Sequence, residues 1–136
     1  MITRVMLLGA LAAGALGCET FGPVACDRSE EANPTVTFQG GVTANGVYRS
    51  SAWDGELLFF PAGMHYDLVH GLGSEPGWVE SFLSFEREGI GDGGTLAPAA
   101  GNQAVIAKAD AERIRVVNDS CVEYWLLVTA GTGSPP

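Results

Sequence analysis

The stretch Met64–Phe85, MHYDLVHGLGSEPGWVESFLSF, constrains the fold more than any other. Met64, Tyr66 and Leu68 fall on one side of an extended chain and His65 and Asp67 on the other. That is the period-two pattern of a strand with one dry and one wet face. Gly71, Gly73, Pro76 and Gly77 interrupt the pattern, because glycine supplies positive φ and proline cannot donate to a central ladder. The chain resumes at Trp78–Phe85, with Val79, Leu83 and Phe85 on one face and Trp78 and Phe82 on the other. Apolar residues on both faces predict a central strand covered from both sides. Together the two strands read as a hairpin around which the rest can be arranged.

The same signal recurs along the chain. In Pro34–Gln39, Val36 and Phe38 are expected to face inward. Val47–Ser51 is a weak strand and Glu56–Phe60 a short, strongly apolar one, closed by Pro61-Ala62-Gly63. Ala104–Lys108 and Arg113–Asn118 form a hairpin through residues 109–112, with Ile114 and Val116 inward and Arg113 and Arg115 outward. In the last strand Tyr124, Leu126 and Val128 alternate with Trp125 and Leu127. Gly40-Gly41 and Asn45-Gly46 are turn signals, and 86–101 is the one long loop. About eight short strands and no helical window predict an all-β fold, a small antiparallel β-sandwich in which two sheets cover each other's apolar faces. The sandwich is expected over residues 34–130. An acidic tether precedes it at 18–33, and a disordered tail follows at 131–136.

Met1–Gly17 carries Arg4 and then an apolar run from Val5 to Leu16. The run is shorter than the roughly 20 residues that span a bilayer, and it reads as a cleaved secretory signal. Ala15-Leu16-Gly17-Cys18 resembles the lipobox of bacterial lipoproteins, with Ala15 and Leu16 exchanging the family's usual residue types. The resemblance covers the first 18 residues. It implies cleavage before Cys18, a lipid on its sulfur, and residence in the bacterial cell envelope facing the periplasm or the exterior. Several acyl chains would make that anchoring stable.

Cys26 and Cys121 remain, and an exported chain with one further pair predicts a disulfide. The spacing lacks the CxxC and neighbouring histidine of a metal or redox pair. Losing Arg4 with the signal takes the formal charge from −9 to −10. Such a surface repels phosphate backbones, so nucleic acid is excluded as a partner.

No stretch carries a catalytic signature. His65 and Asp67 share a strand face without a nucleophile in a recognisable elbow. His70 is expected to be a buried structural residue closing the turn that holds Gly71, Gly73 and Pro76. Trp53 with Asp54 forms either an aromatic-and-carboxylate ligand platform or a cap over the sandwich edge. Asp92, in Gly91-Asp92-Gly93-Gly94, lacks the acidic spacing of a calcium loop. No metal and no cofactor is expected.

From about Phe60 to Val128 the order of strands and turns loosely resembles small β-sandwich binding modules, H-type lectin-like domains among them. The likeness is architectural, and it implies a non-enzymatic binding or assembly module. The expectation is therefore an exported, lipid-anchored binding module whose candidate ligand surface is Trp53, Asp54 and Asp92. Its expected partners are the membrane, a glycan or protein ligand, and a second copy of itself. A purely structural envelope lipoprotein ranks second and a small hydrolase third.

Overall fold

The computed structural model describes residues 26–135; the signal segment and Cys18 lie outside the described residues. The fold is a β-sandwich. One sheet runs β1 (Val36–Phe38), β5 (His65–Val69), β9 (Arg113–Val117), β8 (Val105–Ala109). The other runs β2 (Val42–Ala44), β3 (Val47–Arg49), β10 (Tyr124–Gly131), β6 (Trp78–Ser84), β7 (Ala97–Pro98), with β4 (Leu58–Phe60) also on β10. All pairings are antiparallel except β1 with β5.

Strand β10 is the axis of the second sheet. β6 pairs with it along its whole length, from Trp125 opposite Ser84 to Gly131 opposite Trp78. Its other edge is shared end to end: β4 takes Tyr124–Leu126 and β3 takes Thr129–Gly131. Ser50 fills the gap between them. Its N–H donates to the Val128 carbonyl and its hydroxyl accepts from the Val128 N–H, both at 2.9 Å. The chain from residue 51 to 57 has no room in the ladder, so it leaves the sheet and folds over the outer face.

The alternation seen in the sequence sorts β10 correctly. Tyr124, Leu126, Val128 and Ala130 enter the core with Tyr48, Phe60, Tyr66, Leu68, Leu83, Ile114 and Val116. Leu127 and Thr129 point the other way and are still buried. Period two fixes the face of a strand but not what covers it.

The expected hairpin over Met64–Phe85 does not form. β5 pairs with β1 and β9, and β6 with β10 and β7, so residues 70–77 cross from one sheet to the other. Alternation defines faces, and the choice of neighbour falls to longer strands elsewhere. Phe85 is 72% exposed instead of inward, because β6 ends at Ser84. Val36 also stays largely exposed, since β1 is an edge strand. Two strands escaped the sequence reading. β2 is exposed throughout, and β7 is two residues long and ends in proline.

The predicted tether is docked from Cys26 onward. Cys26 and Cys121 form a disulfide with their Cα atoms 5.6 Å apart. Arg28 reaches the Asp119 carbonyl at 2.6 Å, and Glu30 accepts from Thr35 at 2.6 Å and meets Arg115 at 3.4 Å. Gly63, at φ +73°, lies under this segment, and a Cβ there would sit 2.7 Å from the Asn33 amide nitrogen and 2.9 Å from the Asp27 carbonyl. The expected free tail is also held at its start: Gly131 closes β10 and the Thr132 N–H donates to Gly46.

On the outer face of the first sheet, Asp67 sits opposite Arg115. Arg115 Nε and Nη2 donate to its two oxygens at 2.8 and 3.0 Å, a fork-to-fork pair. Those bonds hold the Asp67 carboxyl below its ordinary value of 3.8, against the opposing effect of burial. A depressed folded pKa gives stability that is full above the unfolded value and lost as pH falls through the folded one. Asp67→Asn should therefore lower stability by about 1–3 kcal/mol at neutral pH. In acid melts the gap to the wild type should narrow below the ordinary carboxylate value. A gap that is constant with pH would show that the charge is not what matters.

Candidate functional site

The outer face of the second sheet carries a groove of about 560 Å³ at the end where β2, β3, β10 and β6 lie side by side. Its floor follows from strand register. Val42, Arg49, Thr129 and Glu80 form one row across four strands, and Ala44, Val47, Gly131 and Trp78 form the next. The β2–β3 turn, Asn45-Gly46, has positive φ at both residues, as a type I′ hairpin requires.

Trp78 owes its position to Gly131. A Cβ on Gly131 would lie 2.7 Å from Cε2, Cζ2 and Nε1 of the indole, so the ring covers the bare Cα. Trp53 arrives from the 51–57 excursion and packs edge-on against Phe82, centroids 4.9 Å apart. The Arg49 guanidinium lies 5.7 Å from the Trp53 ring centre, within cation–π range. The groove thus has two indoles, a cation, a carboxylate and a hydroxyl on a rigid sheet.

The sequence-predicted residues fall differently. Trp53 lines the groove and packs over the outer face of the sheet rather than over the sandwich edge. Asp54 is exposed and outside the groove, its carbonyl turned toward Gly91. Asp92 is in the 3-10 turn Gly91–Gly93, and its side chain lies outside the described residues. The 86–94 loop backs the 51–57 excursion: Leu57 N–H donates to the Arg87 carbonyl at 2.8 Å, and Leu57 is buried. Trp78, Arg49, Glu80 and Thr129 were missed as a set. The outward phase of Trp78 was legible, but bringing four strands into one row needs the register.

His70 is 1% exposed. Its Nε2 donates to the Asp110 carbonyl at 2.9 Å and its Nδ1 accepts from the Leu72 N–H at 3.1 Å. The neutral ring with its proton on Nε2 satisfies both. Its own carbonyl accepts from the Thr43 hydroxyl on β2. One residue thereby ties the crossover, the β8–β9 turn and the opposite sheet. Gly71 and Gly73, both at positive φ, let the chain turn away beneath it, ahead of Pro76. His65 Nε2 lies 3.2 Å from the Arg28 carbonyl, on the far face of β5.

His70→Ala should cost roughly 2–4 kcal/mol, from the cavity and from two backbone groups left unpaired. Thermal melts check this, and the groove's tryptophan emission should be unchanged. Unaltered stability would assign the ring a role other than support.

Comparison with known proteins finds no family model, no curated protein and no solved structure that matches this chain.

Proposed function

We propose that this chain is an exported, lipid-anchored binding module of the bacterial cell envelope, without a catalytic centre, that takes its ligand in the groove between Trp53 and Trp78. The observation that carries this reading is the groove itself. Indole faces bury apolar ligand surface while Arg49, Glu80 and Thr129 offer polar contacts at fixed spacing. Sheet-borne side chains hold that spacing better than loop residues do.

The export half rests on the lipobox-like Ala15–Cys18, and the Cys26–Cys121 disulfide is consistent with an oxidising compartment. With the lipid on Cys18, the docked Cys26 follows eight positions later. That length keeps the module within about 29 Å of the bilayer. The binding half is also supported by how the chain's usual catalytic groups are engaged. His70 has both ring nitrogens on backbone, His65 rests against a backbone carbonyl, and Cys26 and Cys121 are joined.

Two measurements test the reading separately. Intact-mass analysis of the membrane fraction should find a mature chain beginning at Cys18 with added acyl mass; an unlipidated chain in the soluble fraction would remove the anchor. A combined glycan and peptide array should give hits that are lost in both Trp53→Ala and Gly131→Ala, the second because its new methyl displaces Trp78. Hits that survive both changes would place binding elsewhere on the molecule.

A further inference from the structure

Six cations fall among the described residues, and five have a carboxylate partner. Arg28 meets Asp119, Arg87 meets Glu56, Lys108 meets Asp110, and Arg113 and Arg115 both meet Asp67. Among the described residues Arg49 alone has no carboxylate within 4.0 Å, in a chain with sixteen acidic side chains. Its Nε is also buried without a hydrogen-bond partner. A buried donor left unpaired is unfavourable, so this arginine is held in place without the usual compensation of a bond to its Nε.

Arg49 is held where such a group would arrive. Its backbone is pinned opposite Thr129 in the β3–β10 ladder, and its guanidinium lies against Trp53. With Nε buried, the two terminal Nη groups are the donors able to fork a carboxylate. On the other side of Thr129, two strand spacings or about 10 Å away, stands Glu80. Glu80 has no cation partner among the described residues, so it accepts hydrogen bonds and repels a second anion. The groove is therefore polarised: anion-seeking at Arg49, donor-seeking at Glu80, apolar at the two indoles.

Taking the proposed binding role of the groove as its basis, we infer that the ligand is a short saccharide bearing a single carboxylate. The carboxylate meets the Arg49 fork, ring hydroxyls donate to Glu80 and Thr129, and the C–H face of a sugar ring packs on indole. One anionic group fits the groove and a polyanion does not, because the chain's formal charge of −9 repels accumulated negative charge. A peptide strand is less well served: the groove floor is made of side chains from interior and edge strands, and the free backbone edge of β2 faces sideways, away from the indoles.

The test uses the purified full-length mature protein and saccharides paired by one group, such as a disaccharide ending in glucuronate against the same disaccharide ending in glucose. Titration is followed by calorimetry and tryptophan emission. The acidic member should bind about 10–100-fold more tightly, the range of one charged hydrogen-bonded pair. Arg49→Gln should erase that preference, so that the acidic and neutral members bind that variant with equal affinity, and Arg49→Lys should restore part of it. Thermal melts of both variants should match the wild type, which separates lost recognition from lost fold. Equal binding of the two members, with Trp53→Ala still abolishing both, would overturn the carboxylate inference and leave the binding reading standing. Preference for an acidic peptide over either sugar would overturn the inference as well. Array hits insensitive to Trp53→Ala and Gly131→Ala would remove both together.

Discussion

The ladder along β10 is the constraint on which the rest depends. An eight-residue strand with one edge filled by β6 and the other divided between β3 and β4 has its neighbours fixed over its full length. Because β3 and β4 are consecutive in the chain yet lie end to end on one edge, the residues between them must leave the sheet. Trp53 reaches Phe82 for that reason, and Leu127 and Thr129 are buried on a face that would otherwise meet water. The same ladder places Arg49 and Glu80 on either side of Thr129. Fold and groove follow from one set of backbone hydrogen bonds.

A second set of interactions holds the near end of the molecule. Asn118 is fully buried, and its amide nitrogen lies 2.8–3.0 Å from the carbonyls of Phe60, Pro61 and Val122. Its Oδ1 accepts from the Ser120 N–H and hydroxyl. That network sets the turn carrying Cys121, and the disulfide then brings Cys26 alongside. The chain-entropy model gives a cross-link over a 95-residue separation about 4–5 kcal/mol, acting on the unfolded chain. Arg28, Glu30 and the Gly63 contact dock what reads, in composition, as a solvated acidic linker. Composition reports that a segment can be solvated; it does not report which neutral surface or cation it will meet.

Much of the sandwich was legible because its strands obey period two. Ile114 and Val116 inward with Arg113 and Arg115 outward, the β8–β9 hairpin, and the phase of β10 all follow from alternation alone. The Cys26–Cys121 bond followed from counting cysteines. What alternation lacks is partnership. It treats His65–Val69 and Trp78–Ser84 as neighbours because a Gly/Pro turn joins them, whereas β9 and β10 are the better mates in register and length. The groove was hidden for the same reason. Of its residues only Trp53 stands out in the sequence as a candidate for ligand contact, since Arg49, Thr129 and Glu80 are ordinary until three distant segments align.

Glycine at position 131 shows how stability and recognition divide within one strand. Glycine is a poor strand former because it has no side chain to pack, and here it is the last residue of β10. Here the missing Cβ is what admits the Trp78 indole over the sheet. The indole in turn shields the backbone that the glycine leaves bare, an arrangement that offsets part of the loss. Eleven residues on the inner faces already form a continuous core, and β10 supplies four of them without Gly131. The outer face at this end is consequently free to be shaped for contact with a ligand. A local sacrifice in strand propensity, an arginine kept from the acids around it and two tryptophans outside the core all occur within one groove. Each alone has a structural explanation; their coincidence in one groove, on three paired strands and the excursion that crosses them, is what the binding proposal rests on.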